Sequence, residues 1–353
     1  FAYYQNLRKE ISVRQEWLET VLTREKKWIL ENQGPEGEIY MNGSKAGDVN
    51  PYFACMAALG LLAETKNCPM TETEQKAVGR YLDWHTGILL ETDGKMGIYR
   101  KESGKLIYKE KVDSEDGYLG MYLFLMGKYL EKTENTDLPE YWKKGISLAL
   151  KKIQSLMRDG ITQVSEENTT AYLMDNLEVW KGLHELELAG LEDTQAISEM
   201  RKKIQAQIEN IFWDDANQRW RIIGNSDLYD QTEFYPDGVA QIYPLIYEFP
   251  VKEKKKQKIL YDQFTERFQW QKLNKKRTGF LWAMTGMAAA QMGDINNLVE
   301  LIENYETEYC ENRKYPLYTG EAGWICMECE KLYRLYERKI KRVHTRLPSQ
   351  AWF

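Results

Sequence analysis

Six times along the 353-residue chain, a polar loop rich in aromatic and acidic residues leads into a stretch that carries almost no charge. These loop-to-helix junctions lie at residues 48–53 (DVNPYF), 112–118 (VDSEDGY), 167–172 (ENTTAY), 233–238 (EFYPDG), 277–282 (RTGFLW) and 318–324 (YTGEAGW). A unit that recurs in this way is typical of an architecture built by stacking like parts around an axis. The repetition therefore constrains the fold more than any single motif does.

The 3.6-residue period of apolar positions predicts about twelve helices, in which two kinds alternate. The first kind is charged and has one apolar stripe, as expected of a helix with one face in water. The second kind has no Asp, Glu, Lys or Arg, and a helix that is apolar on all sides must be buried on all sides. We expect charged helices near 12–31, 71–89, 139–157, 193–212, 254–268 and 294–305, and uncharged ones at 51–63, 117–127, 238–247 and 279–293.

An inner ring of buried helices inside an outer ring of half-exposed ones satisfies this alternation. The sequence thus predicts an all-α fold, an (α/α)6 toroid of six helical hairpins, with short β-hairpins in the loops at 95–108 and 220–230. No Pro/Gly/Ser-rich linker interrupts the chain, so we expect residues 1–353 to form a single domain.

Composition argues against several classes of function. The net charge of -6 disfavours nucleic-acid binding, because phosphate recognition needs a basic face. No apolar run approaches the roughly 18 residues of a membrane span. An odd set of five cysteines has no disulfide-framework spacing and favours a reducing, cytoplasmic compartment. A chain that begins at Phe1 leaves open a secreted form from which a signal peptide was removed.

We expect neither a metal nor a cofactor. Cys326 and Cys329 form one CxxC, but a structural zinc site needs four ligands, and neither a second pair nor a nearby His is present. We interpret the two cysteines as successive turns of a buried helix. No Gly-rich phosphate-binding loop occurs in the chain.

Over nearly its full length the chain resembles the six-hairpin glycosidase superfamily. Residues 113–119 (DSEDGYL) are similar to a helix start in family 8 glycoside hydrolases, where an aspartate assists the attacking water. Residues 171–177 (AYLMDNL), followed by Gly182 and Leu183, are similar to an inner-helix sequence of several six-hairpin families. Family 8 also has a Ser-Glu-Gly-Gln-type general-acid segment, in whose place this chain has residues 48–52 (DVNPY). The resemblance implies a sugar cleft at the barrel end where the loops from outer to inner helices lie.

Asp113 and Asp116 are the first candidates for catalysis. Their spacing at a helix start places two carboxylates near one barrel end, where close carboxylates split their pKa values. An N-cap with its capping box explains the same spacing equally well. Glu233, among aromatic residues that could raise its pKa by desolvation, is the candidate general acid, and Asp113 or Asp116 the base. The alternative is that Glu233 simply faces water.

Asp175 lies inside a predicted inner helix, where it cannot be a cap, so it either lines the cleft floor or pairs with a structural partner. Asp237 either contacts the sugar or caps the next helix. Aromatic side chains can stack on the C–H face of a sugar ring, although packing between two helix rings also demands aromatics. The aromatic candidates at the junctions are Tyr52, Tyr118, Tyr172, Tyr235, Trp282 and Trp324.

The sequence therefore predicts a carbohydrate-active enzyme, a glycoside hydrolase that cleaves an oligo- or polysaccharide by inversion with two carboxyl groups. A saccharide-binding or scaffold protein that has lost the acid–base pair remains the alternative from another class. Sugar epimerases and polysaccharide lyases on this fold resemble one another in using His prominently. The three histidines of this chain therefore disfavour both classes.

Overall fold

The structure is a computed structural model that describes residues 2–45, 47–135, 137–191, 194–273 and 279–344. Arg277 and Thr278 of the fifth junction lie outside these residues. The described chain forms twelve α-helices, as the sequence predicts. The outer helices are α1 (Ala2–Glu31), α3 (Glu72–Glu91), α5 (Glu140–Leu156), α7 (Thr194–Phe212), α9 (Lys254–Phe268) and α11 (Ile295–Tyr309). The inner helices are α2 (Pro51–Leu61), α4 (Glu115–Thr133), α6 (Leu173–Leu188), α8 (Val239–Ile246), α10 (Thr285–Met292) and α12 (Thr319–His344).

Local signals explain several helix starts. The Asn50 side chain accepts the amide of Tyr52 at the start of α2, and Pro51 occupies the first turn, where a missing N–H costs nothing. Thr71 and Glu74 form a capping box on α3. Ser114 caps α4 by accepting the amide of Gly117. The predicted helix at 279–293 is shorter than expected, because α10 begins only at Thr285, after an irregular segment.

The inner helices pack against one another in a closed ring. Helix α2 packs on α4 and on α12, α4 on α6, α6 on α8, α8 on α10, and α10 on α12. The uncharged helices are buried as predicted: almost every residue of α2, α8 and α10 is sequestered from solvent. The toroid expected from the alternating helices is therefore confirmed.

Glu25 of α1 joins the first and last hairpins of the ring. Its side chain is fully buried and accepts a hydrogen bond from the hydroxyl of Tyr305 at 2.7 Å and from Nη2 of Arg313 at 2.9 Å. Helix α1 also packs along α12. Because a buried carboxylate needs partners of this kind, these contacts fasten the two ends of the repeat.

The two ends of the barrel differ. As far as the structure describes them, the connections from an outer to an inner helix lie at one end, and the fourth of them runs over residues 213–238. Connections from an inner to an outer helix lie at the other end, and there Lys181 bridges Glu185 at 2.7 Å and Glu248 at 3.0 Å. Ion pairs thus line the far end, whereas the N-termini of the inner helices converge under the long loops.

The described residues form three small antiparallel sheets, which lie in the connections from outer to inner helices. Strands β1 (Asp48–Val49), β2 (Gly97–Glu102) and β3 (Lys105–Lys111) form one sheet, which contains the predicted first hairpin. Strand β4 (Met157–Arg158) pairs with β5 (Ile161–Thr162), and β6 (Trp213–Asp214) with β7 (Arg219–Trp220).

The hairpin expected at 220–230 is therefore wrong in position. Its turn forms earlier in the chain, where the Asp214 carboxylate accepts the backbone amide and the side-chain amide of Asn217. Beyond β7 the chain is held by other contacts, among them a bridge between Ile223 and Tyr172. Within the described part of the chain, no helix is long and apolar enough to cross a membrane.

Candidate active site

Two carboxyl groups of α6 lie where the inner helices begin. Asp175 and Glu178 are three residues apart, so both project from the same face of the helix. Gly117 of α4 packs against them: a β-carbon on this glycine would lie 2.7 Å from Oε2 of Glu178 and 3.3 Å from Oδ1 of Asp175. These two oxygens are therefore at most 6.0 Å apart. The absence of a side chain at 117 makes room for both acids.

Three tyrosines hold Glu178. The hydroxyls of Tyr52, Tyr243 and Tyr247 all donate to its Oε1, those of Tyr243 and Tyr247 from 2.7 and 3.4 Å. Glu178 is 2% exposed, and this burial raises its pKa to about 7, although the tyrosine hydrogen bonds act in the opposite direction. Its free oxygen, Oε2, is the one near Gly117 and Asp175.

Asp175 lies one turn closer to the loops and is only partly buried. Burial raises its pKa well above the usual range, and the neighbouring charges of Asp116 and Glu178 raise it further. Both effects favour the protonated form of the Asp175 carboxyl group, which can still reach solvent. Those are the properties of a general acid.

Asp113 and Asp116, the two candidate acids of the second junction, lie in different surroundings. Asp116 is fully buried and accepts hydrogen bonds from the hydroxyls of Ser114 at 2.8 Å and Thr162 at 2.7 Å, and from the amide of Gly117 at 3.0 Å. Burial raises its pKa. Asp113 is exposed at the rim, and its charge contributes to the raised pKa values of Asp175, Tyr118 and Tyr235. Asp113 therefore lies near the α6 acids, on the solvent side.

Aromatic rings from the starts of four inner helices, α2, α4, α8 and α10, line the rest of the cleft. The ring centroids of Tyr118 and Tyr52 are 5.4 Å apart, Phe53 packs on Phe280 at 5.2 Å, and Tyr235 packs on Trp282 at 4.7 Å. Tyr235 is 45% exposed, and burial raises its pKa to about 12, with further contributions from Asp175, Glu178 and Asp113. From its position on the fourth loop, Tyr235 therefore faces Asp175, Glu178 and Asp113.

Tyr172 precedes α6 and is partly buried, with its backbone bridged to Ile223. Trp324 lies elsewhere. It is 2% exposed on α12, packs edge-on against Tyr247 at 6.1 Å, and borders a depression between the C-terminal ends of the inner helices. Five of the six aromatic candidates thus lie at the cleft end, whereas Trp324 lies deeper in the ring.

The carboxylates of the fourth loop lie in contrasting surroundings. Glu233 is exposed, so its aromatic neighbours do not desolvate it as the sequence suggested. Phe234 instead turns inward and packs on Phe264 and Phe268. Asp237 is 7% exposed and accepts the amide of Asp230 at 2.7 Å, a contact that fixes the loop.

The histidines whose side chains are described lie away from the acids. His85 is fully buried beside Tyr81 and Cys55, and burial lowers its pKa to about 3. His184 stacks on Trp180 with a centroid distance of 5.1 Å. Among the described residues, no group of three or more His, Cys, Asp or Glu could hold a metal ion.

No known protein family matches the sequence, and no curated protein sequence is similar to it. Solved structures are similar in fold. A glycosidase in complex with glucose superposes with a TM-score of 0.60 at 11% identity, over 94% of this chain and 98% of that one. An alpha-1,6-mannanase of Salegentibacter sp. in complex with alpha-1,6-mannotriose gives 0.54 at 12% identity, over 90% and 99%. D-mannose isomerase gives 0.59 at 10% identity, over 90% and 97%.

This chain therefore shares its toroidal fold with these solved structures. The solved structures do not single out family 8. At these identities the similarity concerns the arrangement of the helices, and the chemistry of this chain depends on its own side chains.

Sequence reasoning missed Glu178 and two of the tyrosines around it, Tyr243 and Tyr247, and it proposed Tyr52 only as an aromatic ring for the sugar. One signal was present: Asp175 and Glu178 occupy one face of a helix that the repeat places in the inner ring. Burying a pair of acids inside the inner ring is costly unless partners stabilise them, so such a pair indicates a functional site. The tyrosine partners could not be predicted, because they come from α2 and α8, which are distant in the sequence.

Proposed function

We propose that the chain is a carbohydrate-active enzyme that hydrolyses a glycosidic bond of an oligo- or polysaccharide with inversion. The observation that carries this proposal is the group of Asp113, Asp175 and Glu178 beneath the aromatic rings of the cleft. Aromatic faces bind sugar rings, and carboxyl groups with different proton affinities supply acid and base catalysis. The fold shared with several glycosidases is consistent with this proposal.

In this scheme Asp175 is the general acid. Burial and the nearby charges favour its protonated form, and in that form it can protonate the leaving oxygen. Asp113 is the base, because it is exposed at the rim and can hold a water molecule on the opposite face of the sugar. Inversion needs a separation of roughly 6.5 to 9.5 Å between the two carboxyl groups. Asp116, whose oxygens are already hydrogen-bonded in the interior, would fix the start of α4.

Glu233 remains the alternative acid, on the loop that carries Tyr235. Asp237, Tyr52, Tyr118, Tyr172, Tyr235 and Trp282 would contact the sugar or support residues that do. For Trp324 the depth of its position favours packing over sugar contact.

Hydrolysis of a panel of neutral oligosaccharides by the wild type and three variants tests these roles. We expect Asp175→Asn and Asp113→Asn each to lower kcat by about 10²- to 10⁴-fold, as loss of a general acid or base does. Glu233→Gln should change kcat only a few-fold. Loss of activity in Glu233→Gln with full activity in Asp175→Asn would transfer the acid role to Glu233. Full activity in all three variants would refute the scheme, provided that their thermal unfolding matches the wild type.

A saccharide-binding protein without catalysis is the second candidate, because the aromatic lining of the cleft would serve it equally well. It predicts saccharide binding by the wild type with no turnover on the same panel. An isomerase shares the fold, but the histidines with described side chains lie outside the cleft, which disfavours proton transfer through His.

A further inference from the structure

Trp282 adopts a backbone conformation that bulky residues avoid. Its φ angle is +58°, which lies in the left-handed region, where residues other than Gly are uncommon. Residues held in such conformations cluster at functional sites and persist only where their surroundings fix them. A tryptophan therefore occupies a position whose backbone conformation favours glycine.

Contacts on both sides fix the backbone of Trp282. The Glu321 carboxylate of α12 accepts the amide of Trp282 at 3.3 Å and that of Ala283 at 2.9 Å. The carbonyl of Trp282 accepts the amide of Thr285 at 3.0 Å and its hydroxyl at 2.7 Å. Glu321 is 6% exposed, and its carboxylate binds the segment just before α10.

The conformation directs the Trp282 ring toward the cleft. The ring is half-buried and packs on Tyr235, which faces Asp175, Glu178 and Asp113. Phe234 and Phe280 contact its edges at centroid distances of 5.9 and 6.1 Å.

We infer that Glu321 is a positioning residue that holds Trp282 in a strained conformation, so that Trp282 and Tyr235 form an aromatic platform for one ring of a neutral saccharide. The charge of Asp113, which acts on Tyr235, would repel an acidic sugar, and for this reason the ligand class is neutral. The inference rests on the proposal that the cleft binds a saccharide, and it is independent of hydrolysis.

The first test is the unfolding temperature of two variants. Trp282→Gly and Trp282→Ala both remove the ring, but only Gly tolerates the positive φ. We expect Trp282→Gly to unfold about 1 to 3 °C above Trp282→Ala. If the Ala variant were as stable as the Gly variant, or more stable, the backbone at residue 282 would not be strained and the inference would be overturned.

The second test is calorimetric binding of maltotriose, cellotriose and alpha-1,6-mannotriose. We expect at least one to bind the wild type, with affinity reduced at least tenfold in Trp282→Gly and several-fold in Glu321→Gln. Glu328→Gln is the matched control, because Glu328 is fully buried on the same helix but lies against Gly286. It should bind like the wild type.

Equal effects of Glu321→Gln and Glu328→Gln, unchanged binding by Trp282→Gly, or no binding of any of the three to the wild type would each overturn the inference. Binding without turnover would leave the platform standing and reject hydrolysis, so the two proposals fail separately.

Discussion

Burial of the Glu178 carboxyl moves its pKa from an ordinary value of 4.5 to about 7. Between these two pH values the folded protein keeps a proton that the unfolded chain has released. The contribution of Glu178 to stability is therefore present below pH 4.5 and is lost as the pH rises through 7. The loss is on the order of 3 kcal/mol, at about 1.4 kcal/mol per pH unit.

This pH dependence predicts that Glu178→Gln, which cannot ionise, gains stability relative to the wild type as the pH rises. Urea unfolding at pH 5 and pH 8 should show the difference between variant and wild type shifting by about 2 to 3 kcal/mol in favour of the variant. Glu72→Gln, at an exposed position on α3, is the control and should show no such shift. The same difference at both pH values would mean that Glu178 is ionised inside the fold.

The residues of the cleft were only partly predictable. Asp113 and most of the aromatic candidates occur at junctions that the repeat marks, and Asp175 lies in the helix that follows the third junction. The structure places these residues together at one end. Glu233 and Trp324 occupy similar positions in the sequence, yet one faces water and the other lies deep in the ring. Local sequence does not fix such differences, because they depend on how each loop folds back over its neighbours.

At the scale of helices, glycines set the distance between inner neighbours. A β-carbon on Gly120 of α4 would lie 2.7 Å from backbone atoms of Glu178 and Val179 on α6. One on Gly323 of α12 would lie 2.1 Å from the carbonyl oxygen of Met56 on α2. Contacts with backbone cannot yield as flexible side chains can, so these helix pairs need glycine. Close packing of α4 on α6 also brings Gly117 against the cleft acids.

Gly120→Ala should therefore destabilise the protein by about 2 to 3 kcal/mol, as overpacking in a tight core does. The matched control is Gly87→Ala in α3, where an added β-carbon would meet nothing within 4 Å. It should stabilise the helix by about 0.5 to 1 kcal/mol. Denaturant unfolding measures both, and a neutral Gly120→Ala would show that α4 and α6 can separate without cost.

Helix type was predictable from charge in four of the inner helices, because burial on all sides excludes ionised side chains. Helix α6 does not follow that pattern. Its Asp175 and Glu178 face the cleft, while Lys181 and Glu185 pair at the far end of the barrel. The charged residues of α6 thus lie toward the two ends of the ring. Which end each pair occupies can be predicted only when the direction of the helix in the toroid is known.

For the whole molecule, the closed ring decides where a site can form. Because every inner helix begins at the same end, residues from five helix starts and their loops meet around one cleft. The repeat in the sequence predicts this convergence. It leaves open which loops meet across the cleft, and the contact between Tyr235 of the fourth loop and Trp282 of the fifth depends on α8 packing against α10.

A crystal structure of Asp175→Asn with a bound oligosaccharide tests the central proposal most directly. We expect a glycosidic oxygen within hydrogen-bonding distance of the residue 175 side chain, Asp113 on the opposite face of the sugar, and a sugar ring on Trp282 and Tyr235. A saccharide bound at the other end of the barrel, or one whose glycosidic bonds lie beyond the reach of both residue 175 and Asp113, would contradict it.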